Sequence, residues 1–324
     1  MENIEHFGKG CLQTPPELAS TRYRLAAMPV APIDWSTPFD VEQGFTLAQR
    51  NQDGSSSCTA QATAYYCEVL NHLDNNVVEN YSARFNYSQT YAPGGGAYIW
   101  KAMSIPIKIG LAGADSVPDG NSTEAEMIDQ SLNGTARIEA KALLYAQLTN
   151  NKNIDELANI VKDYHGFVTG FNGSNDMFDS KGVASIPTNP TWGHAVYICG
   201  YVTLPDGRKA LKFKNSWGGT WGDAGYGYFP EEFIASGHFY DAYVYATVQD
   251  IDPLSMSLPL ARDPKDPIQG RVYALLETKK VKCWIPNPAT LNSGNGDLWG
   301  GWDKIIEKDL SGYKDGVIQI STSE

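Results

Sequence analysis

Cys58 lies where a flexible polar loop meets the start of a stretch that is typical of a helix. The sequence around it is NQDGSSSCTAQATAYYC, with three serines before the cysteine and small or apolar residues at helical spacing after it. A cysteine in the first turn of a helix faces the positive end of the helix dipole, which lowers its pKa from about 8.5. The pattern therefore predicts a helix over 58–72 that begins with a reactive thiolate.

A hairpin further along the chain has a histidine and an asparagine at its two ends. GHAVYICGYV and ALKFKNSW read as strands around the turn LPDGRK. His194 and Asn215 are nearly symmetric about that turn, and facing residues of a ladder have Cβ atoms roughly 5 Å apart. An asparagine oxygen that accepts from one ring nitrogen leaves the other free to act as a base. Trp217 is placed to shield that hydrogen bond from water.

Gln52 precedes Cys58 by six residues and adds a third element of this chemistry. Its amide donors and the backbone N–H of Cys58 are predicted to point at one position, which is the arrangement of an oxyanion hole. An imidazolium beside Cys58 would lower the thiol pKa further, to roughly 3–4 in the best cases. The order and spacing of these residues indicate nucleophilic catalysis by a thiolate.

Three segments resemble the papain family of cysteine peptidases. QDGSSSCTA resembles the glutamine–loop–cysteine signature, GHAVYICGYV the histidine strand and KNSWGGTWGDAGYGYF the asparagine segment. His194 follows Cys58 by 136 residues (194 − 58) and Asn215 by 157 (215 − 58), against about 130–150 in the family pattern. The resemblance covers about residues 32–248, and SCTA is typical of bacterial and viral members.

The resemblance implies four catalytic roles. Cys58 is expected to be the nucleophile, His194 its acid–base partner, Asn215 the group that orients the histidine and Gln52 the oxyanion donor. The expected reaction is endopeptidase hydrolysis of polypeptides through a thioester acyl-enzyme, without a cofactor. The expected fold is α+β and papain-like. A helical lobe carries the cysteine, an antiparallel β-barrel-like lobe carries the histidine and asparagine, and a small C-terminal module follows.

The resemblance also implies a substrate-binding surface. Gly94, Gly95 and Gly96 resemble the family's glycine pair, whose backbone binds the substrate chain in extended form. Gly193 and Trp217, which flank the histidine and asparagine positions, are expected to line the same cleft. The expected partner is therefore a polypeptide substrate.

The cysteines indicate neither a metal site nor a disulfide framework. They stand at 11, 58, 67, 199 and 283, an odd number with wide spacing and no CxxC pair. Ser55 occupies the position where the family usually has a disulfide cysteine, so we expect that bridge to be absent.

Composition divides the chain into four regions. Residues 1–31 are an N-terminal extension, 32–250 the peptidase domain, 251–270 a linker with four prolines and 271–324 a small aromatic-rich module. The module weakly resembles one that recurs in bacterial and phage surface proteins. Its tryptophans either form a platform for a cell-surface or virion ligand or hold a small accessory domain together; they are Trp284, Trp299 and Trp302.

The extension is too short for the family's long inhibitory prosegment, because only 33 residues precede Asp34. A peptidase needs restraint, and residues 20–30, STRYRLAAMPV, are extended-prone and apolar. We expect this stretch to lie across the cleft beside Cys58 as a strap, tethered at a high effective concentration. The alternative is a tail without a regulatory role.

Charge and hydropathy exclude some partners. The net charge is −12, which argues against nucleic acid and anionic membranes. No apolar run approaches the roughly 20 residues of a membrane span. MENIEHFGKGC lacks a basic region followed by an apolar core, so no signal peptide is visible. The default location is cytoplasmic, with association to a virion or cell surface as the alternative.

Two alternative functions remain open from the sequence. One is a papain-fold structural or attachment protein that acts through its C-terminal module. The other is an enzyme that cleaves the peptide bridges of cell walls. The complete set of catalytic residue types argues against the first as the sole function, because an inactive protein need not keep all four.

Overall fold

The computed structural model combines a helical region with a large, mainly antiparallel sheet. It describes residues 4–15, 24–25, 31–76, 78–120, 122–142, 145–148, 152–245, 248–250, 260–267, 271–276, 281–284, 305–316 and 318–319. The predicted α+β class is confirmed. None of the helices in these residues is long and apolar enough to cross a bilayer.

The longest helix of the described residues begins at Cys58, as predicted, and is three residues longer than expected. It ends at Asn75, and Asn76 caps it in the left-handed conformation with φ 57°. Fourteen consecutive residues from Cys58 onwards are buried, which is typical of a helix in the middle of a core. The helices are α1 (Cys58–Asn75), α2 (Ala83–Thr90), α3 (Ile99–Lys108), α4 (Glu124–Ile128), α5 (Ile154–Tyr164) and α6 (Glu231–Ala235).

Nine strands form the main sheet, and eight of them follow one open path, so the predicted β-barrel-like lobe is not a closed barrel in the described residues. In spatial order they are β11 (Tyr226–Pro230), β10 (Lys209–Lys214), β9 (Trp192–Thr203), β8 (Phe167–Gly173), β12 (Phe239–Tyr245), β7 (Tyr145–Leu148), β2 (Arg24–Leu25) and β19 (Ile318–Gln319), with β3 (Phe39–Asp40) beside β9.

The remaining strands form three smaller sheets. The first pairs β1 (Cys11–Leu12) with β4 (Ala97–Tyr98) in parallel. The second has the order β13 (Val248–Asp250), β6 (Ile138–Ala142) and β5 (Leu111–Ala112). The third, in the C-terminal module, has the order β17 (Ile305–Glu307), β14 (Leu260–Arg262), β15 (Tyr273–Leu276), β16 (Val281–Trp284) and β18 (Lys314–Gly316).

The C-terminal sheet extends into the predicted linker. β14 lies within 251–270 but pairs with β15 and β17, so this part of the predicted linker is a strand of the same sheet. Sequence reasoning missed it because prolines flank a short apolar stretch that pairs only with later strands. Trp284 ends β16. The other two tryptophans of the predicted platform, Trp299 and Trp302, lie outside the described residues.

The β9–β10 hairpin turns where predicted, but its register differs. The N–H of Gly207 donates to the carbonyl of Leu204 at 2.8 Å and closes the turn. The ladder pairs Lys214 with Tyr197, after a bulge that shifts the register. His194 and Asn215 are therefore not directly opposite, and Asn215 lies just beyond the end of β10. The bulge is a backbone irregularity that turn position alone does not reveal.

The sheet is buried on both faces, which is why β9 reads as a continuous apolar run. Val196 and Ile198 belong to the core cluster that includes α5. Tyr197 and Cys199 belong to the cluster around α1. This alternation has the period of two that strands require, and it fixes the face of the sheet from which each residue at the start of β9 projects.

Candidate active site

The nucleophile loop, residues 52–57, delivers Cys58 to the start of α1. Its serines hold the loop together: the hydroxyl of Ser55 donates to the carbonyl of Gln52 at 2.7 Å and lies 2.8 Å from the hydroxyl of Ser57. Ser57 is the N-cap of α1, and its side chain makes no capping bond. The serine run therefore satisfies the polar groups of a partly buried loop, and Cys58 itself is fully buried.

The predicted hydrogen bond between the histidine and the asparagine is present. Nε2 of His194 lies 2.9 Å from Oδ1 of Asn215. The amide oxygen only accepts, so Nε2 carries the proton and Nδ1 is the basic nitrogen. Within the described residues, Nδ1 is buried and has no hydrogen-bond partner. The ring of Trp217 stacks on the imidazole at 4.5 Å and shields the pair.

Gln52 is held beside Asn215 by the residue that follows the asparagine. The backbone N–H of Gln52 donates to the carbonyl of Ser216 at 2.8 Å, and the Ser216 hydroxyl donates to Oε1 of Gln52. The amide donors of Gln52 are already occupied. Nε2 donates to the carbonyls of Ser55 at 2.8 Å and of Gly8 at 2.9 Å.

Residues 4–15, here called the N-terminal segment, lie against the nucleophile loop. The N–H of Gly8 donates to the carbonyl of Asp53 at 2.7 Å. The carbonyl of Gly10 accepts from the N–H of Ala97 at 2.8 Å, in the glycine loop formed by residues 92–97. A backbone hydrogen bond from Gly10 lowers the pKa of the Cys58 thiol. The N-terminal segment thus covers Cys58 and bonds with both loops.

The two glycines of GKGC are needed for this close approach. A Cβ on Gly8 would lie 1.7 Å from the carbonyl oxygen of Ser55. A Cβ on Gly10 would lie 2.4 Å from Cβ of Ser56 and 2.9 Å from Cα of Gly96. Both positions thus exclude any side chain, because the clashing atoms belong to backbone or to a short side chain.

Apolar side chains anchor the N-terminal segment. Ile4 is buried in the core cluster that contains α5. The ring of Phe7 stacks on Trp217 at 5.4 Å with an interplanar angle of 7°. Nζ of Lys9 lies 5.6 Å from the ring of Trp192 and 5.9 Å from that of Trp217, within the range of cation–π attraction.

The contacts with the nucleophile loop come from a part of the extension other than residues 20–30, the stretch predicted as a strap. The stretch 20–30 includes β2, which pairs with β7 and β19 at the end of the main sheet; its other residues lie outside the described ones. The segment that contacts the nucleophile loop lies earlier in the chain and contains GKGC. The spacing of its two glycines was a signal that the sequence analysis did not use.

Burial shifts the pKa of both Cys58 and His194. It raises the pKa of the Cys58 thiol to about 11, although backbone hydrogen bonds, the largest from Ala195 and Gly10, oppose the rise. It lowers the pKa of His194 to about 3, with Asn215 opposing and Lys9 adding to the shift. The prediction of a lowered thiol pKa is wrong for this covered state, because loss of hydration outweighs the helix dipole.

The four glycines among the predicted substrate-binding residues divide into two groups. Gly96 and Gly193 contact the N-terminal segment: a Cβ on Gly96 would meet the carbonyl oxygen of Gly10 at 2.1 Å, and one on Gly193 that of Cys11 at 2.3 Å. Gly94 and Gly95 make no such close contact; a Cβ on Gly94 would have no neighbour within 4 Å. Both have positive φ, 98° and 105°, so they shape the loop.

Two buried ion pairs involve residues that lie close to Gln52 and Asn215 in the chain. The sequence analysis did not predict them. Arg50, two residues before Gln52, pairs with Glu68 of α1. Lys214, which precedes Asn215, pairs with Glu42 at 2.9 Å. No sequence signal links these partners, because each pair is closed by tertiary structure. The part of the chain that the structure describes contains no cluster of His, Cys, Asp and Glu suited to a metal ion.

Gln52, a buried cysteine at a helix start and an Asn-bound histidine follow one another along the chain, and one family model covers them all. The model of the papain family cysteine protease matches residues 32–233. This chain belongs to the papain family.

Individual relatives in this family are distant. Vignain of Ricinus communis is 24% identical over 206 residues, which cover 60% of this chain and 53% of vignain. A cysteine protease of Blomia tropicalis is 26% identical over 204 residues, 59% of this chain and 60% of that protein. The chain thus spans little more than half the length of these relatives.

Among solved structures, the fold is similar to that of xylellain, a cysteine protease from Xylella fastidiosa. The TM-score is 0.60 at 21% sequence identity, and the match covers 77% of this chain and 99% of the xylellain chain. At this identity the likeness shows the fold, so the predicted papain-like architecture is confirmed.

Proposed function

We propose that this chain is a cysteine endopeptidase that hydrolyses polypeptides with Cys58 as nucleophile. The observation that carries the proposal is the hydrogen bond between Nε2 of His194 and Oδ1 of Asn215. The imidazole Nε2–H is committed to Asn215, so the buried and otherwise unpartnered Nδ1 is the available base in the described site. A cysteine at the start of α1 and a free imidazole nitrogen are the two groups that thiol-based acyl transfer requires.

The steps of the proposed reaction follow from these positions. His194 Nδ1 takes the Cys58 thiol proton while the sulfur attacks the scissile carbonyl carbon. The oxyanion forms between Nε2 of Gln52 and the backbone N–H of Cys58. The same proton passes to the leaving amine, and a thioester remains. Water, deprotonated by Nδ1, then hydrolyses the thioester and regenerates the thiol.

We further propose that the N-terminal segment keeps the enzyme latent. The Gly8 carbonyl accepts from the Gln52 amide, which is the donor that the oxyanion needs. The Gly10 backbone covers the Cys58 sulfur, and burial keeps thiol and imidazole neutral. The segment therefore blocks substrate access and disfavours the thiolate at the same time.

The full-length Gly10→Val variant tests both proposals. Valine at position 10 collides with Ser56 and Gly96, so the segment should leave the cleft while the rest of the fold remains. We expect faster hydrolysis of a fluorogenic peptide and faster labelling of Cys58 by a thiol-reactive epoxide. Gly134→Val is the matched control, because a Cβ there meets nothing within 4 Å.

The possible results separate the two proposals. Equal rates for Gly10→Val, Gly134→Val and the parent chain would refute latency while leaving the peptidase intact. A folded Gly10→Val variant that reacts with the epoxide but cleaves neither peptide nor casein would refute the endopeptidase. Cleavage of purified peptidoglycan alone would favour the cell-wall alternative. Loss of both labelling and cleavage would favour the structural or attachment protein.

A further inference from the structure

Glu124 joins the nucleophile loop to the glycine loop although it belongs to neither. It is the first residue of α4. Its Oε2 accepts from the backbone N–H of Ser56 at 2.6 Å, and its Oε1 accepts from the hydroxyl of Tyr87 at 2.8 Å. The Tyr87 oxygen in turn accepts from the backbone N–H of Gly96 at 3.1 Å. A continuous chain of hydrogen bonds thus connects the two loops.

No disulfide holds the nucleophile loop in the described part of the chain, where the cysteines are free. The resemblance places a disulfide cysteine at position 55, but within the described residues the Ser55 hydroxyl bonds only to Gln52 and Ser57. The free cysteines of the described chain include Cys58 and Cys67 of α1. The carboxylate is a charged acceptor, and bonds of this kind are roughly twice as strong as neutral ones.

The members of the chain are held rigidly. Tyr87 is fully buried on α2 and packs in one cluster with Ala60 of α1, Ala97 of the glycine loop and Met127 of α4. The start of α4 is fixed by a reciprocal capping box between Thr123 and Glu126. Neither the hydroxyl nor the carboxylate can therefore move far without disturbing a packed element.

The spacing of the two loops matters because the main chain in the cleft touches both. A Cβ on Gly10 would contact Ser56 and Gly96 together. The Gly10 carbonyl takes the Ala97 N–H, a backbone donor of the kind that an extended peptide uses. Any main chain that replaces the N-terminal segment in the cleft contacts the same two loops.

We propose that Glu124 is a positioning residue that sets the spacing between the nucleophile loop and the glycine loop for a bound peptide. The proposal rests on the endopeptidase function proposed above. Tyr87 acts as the relay between the carboxylate and Gly96. Because α1 and the Ser216 contacts hold Cys58 and Gln52 independently, Glu124 acts mainly on substrate binding and little on the chemical step.

The test is the KM-against-kcat split of Glu124→Ala in the full-length Gly10→Val background, measured with a fluorogenic peptide. We expect KM to rise about tenfold, as for the loss of bonds to a charged group, while kcat stays within about threefold. Glu124→Gln keeps one acceptor oxygen, so it should restore part of the affinity. In the parent chain, Glu124→Ala should also speed epoxide labelling of Cys58, because the N-terminal segment packs between the same two loops.

Two further variants separate positioning from general stability. Glu126→Ala removes the capping box of the same helix but touches neither loop in the bonds above, so it should lower Tm without raising KM. Tyr87→Phe removes only the relay, and its effect on KM should shrink when Glu124 is already alanine. This isosteric change also serves if Glu124→Ala does not fold.

The outcomes are distinguishable from failure of the function itself. If Gly10→Val cleaves the peptide and neither Glu124→Ala nor Tyr87→Phe raises its KM, Glu124 is not a positioning residue. A drop in Tm with unchanged KM, as expected for Glu126→Ala, has the same meaning. Absence of any cleavage in Gly10→Val contradicts the endopeptidase, and unaltered Cys58 labelling in Glu124→Ala then contradicts the spacing role as well.

Discussion

The two sides of the cleft are held in place by different means. His194 lies in β9, which pairs with β8 and β10 and is buried on both faces. Its ring is fixed by Asn215 and by the stacked ring of Trp217. The nucleophile loop lies in no sheet. Hydrogen bonds hold it instead, and two of their partners, Gly8 and Glu124, come from distant parts of the chain.

This difference separates the parts of the site that depend on packing from those that depend on single bonds. The imidazole has several supports, so losing one should have a limited effect. Gln52 has a single amide nitrogen, which must serve both the latent state and the proposed oxyanion. We therefore expect the largest losses on the nucleophile side and smaller ones on the sheet side.

The largest effect is expected for Cys58→Ala. In the Gly10→Val background, kcat should fall by at least about 10⁴-fold, because the proposed nucleophile is absent. Alanine suits a buried helix start, so the circular dichroism spectrum should be unchanged. Turnover above a trace in this variant would rule out Cys58 as the nucleophile.

The next largest effect is expected for Gln52→Ala. Loss of one oxyanion donor should lower kcat by about 10²–10³-fold and leave KM nearly unchanged. Ser216→Ala is the control, because it removes a contact of Gln52 but keeps the amide; its kcat should fall by less than about tenfold. A change confined to KM would make Gln52 a substrate-binding residue.

Acid should open the latent form. The pKa of His194 is about 3 when covered, against about 6.5 for a hydrated histidine. Between these values the open state takes up a proton that the covered state does not. The covered state is therefore favoured above pH 6.5 and loses stability as pH falls through this window. At pH 5 the loss is ~2 kcal/mol, or ~30-fold in the open fraction.

Epoxide labelling of Cys58 measures this opening. The rate in the parent chain is divided by the rate in Gly10→Val at the same pH, so the thiolate's own pH dependence cancels. The ratio should rise about 30-fold between pH 7.5 and pH 5. A ratio that is constant over this range would show that His194 does not couple to the N-terminal segment.

The smallest effect is expected for Asn215→Ala. The lost hydrogen bond should lower kcat only about tenfold, because Trp217 and the edge contact with Phe171 still hold the imidazole. Peptide hydrolysis in the Gly10→Val background measures it. A loss as large as that of Gln52→Ala would contradict the contrast between the two sides of the cleft.

Patterns within short stretches of the sequence were sufficient to predict several features of this protein. The start of α1 at Cys58 and the Pro-Asp-Gly hairpin turn were both predictable, because caps, turns and periodicity act over a few residues. The order of Gln52, Cys58, His194 and Asn215 also stands in the sequence, and with it the candidate chemistry.

Contacts between residues far apart in the chain were decided by the tertiary structure. Gly8 meets the amide of Gln52 across 44 residues, and Ser56 meets Glu124 across 68. The raised pKa of Cys58 arises from burial under the N-terminal segment, which no local pattern encodes. A sequence shows which groups are present and how each short stretch folds. The hydration of a side chain and its hydrogen-bond partners depend on the folded protein, because burial is set by all of the residues packed around that side chain.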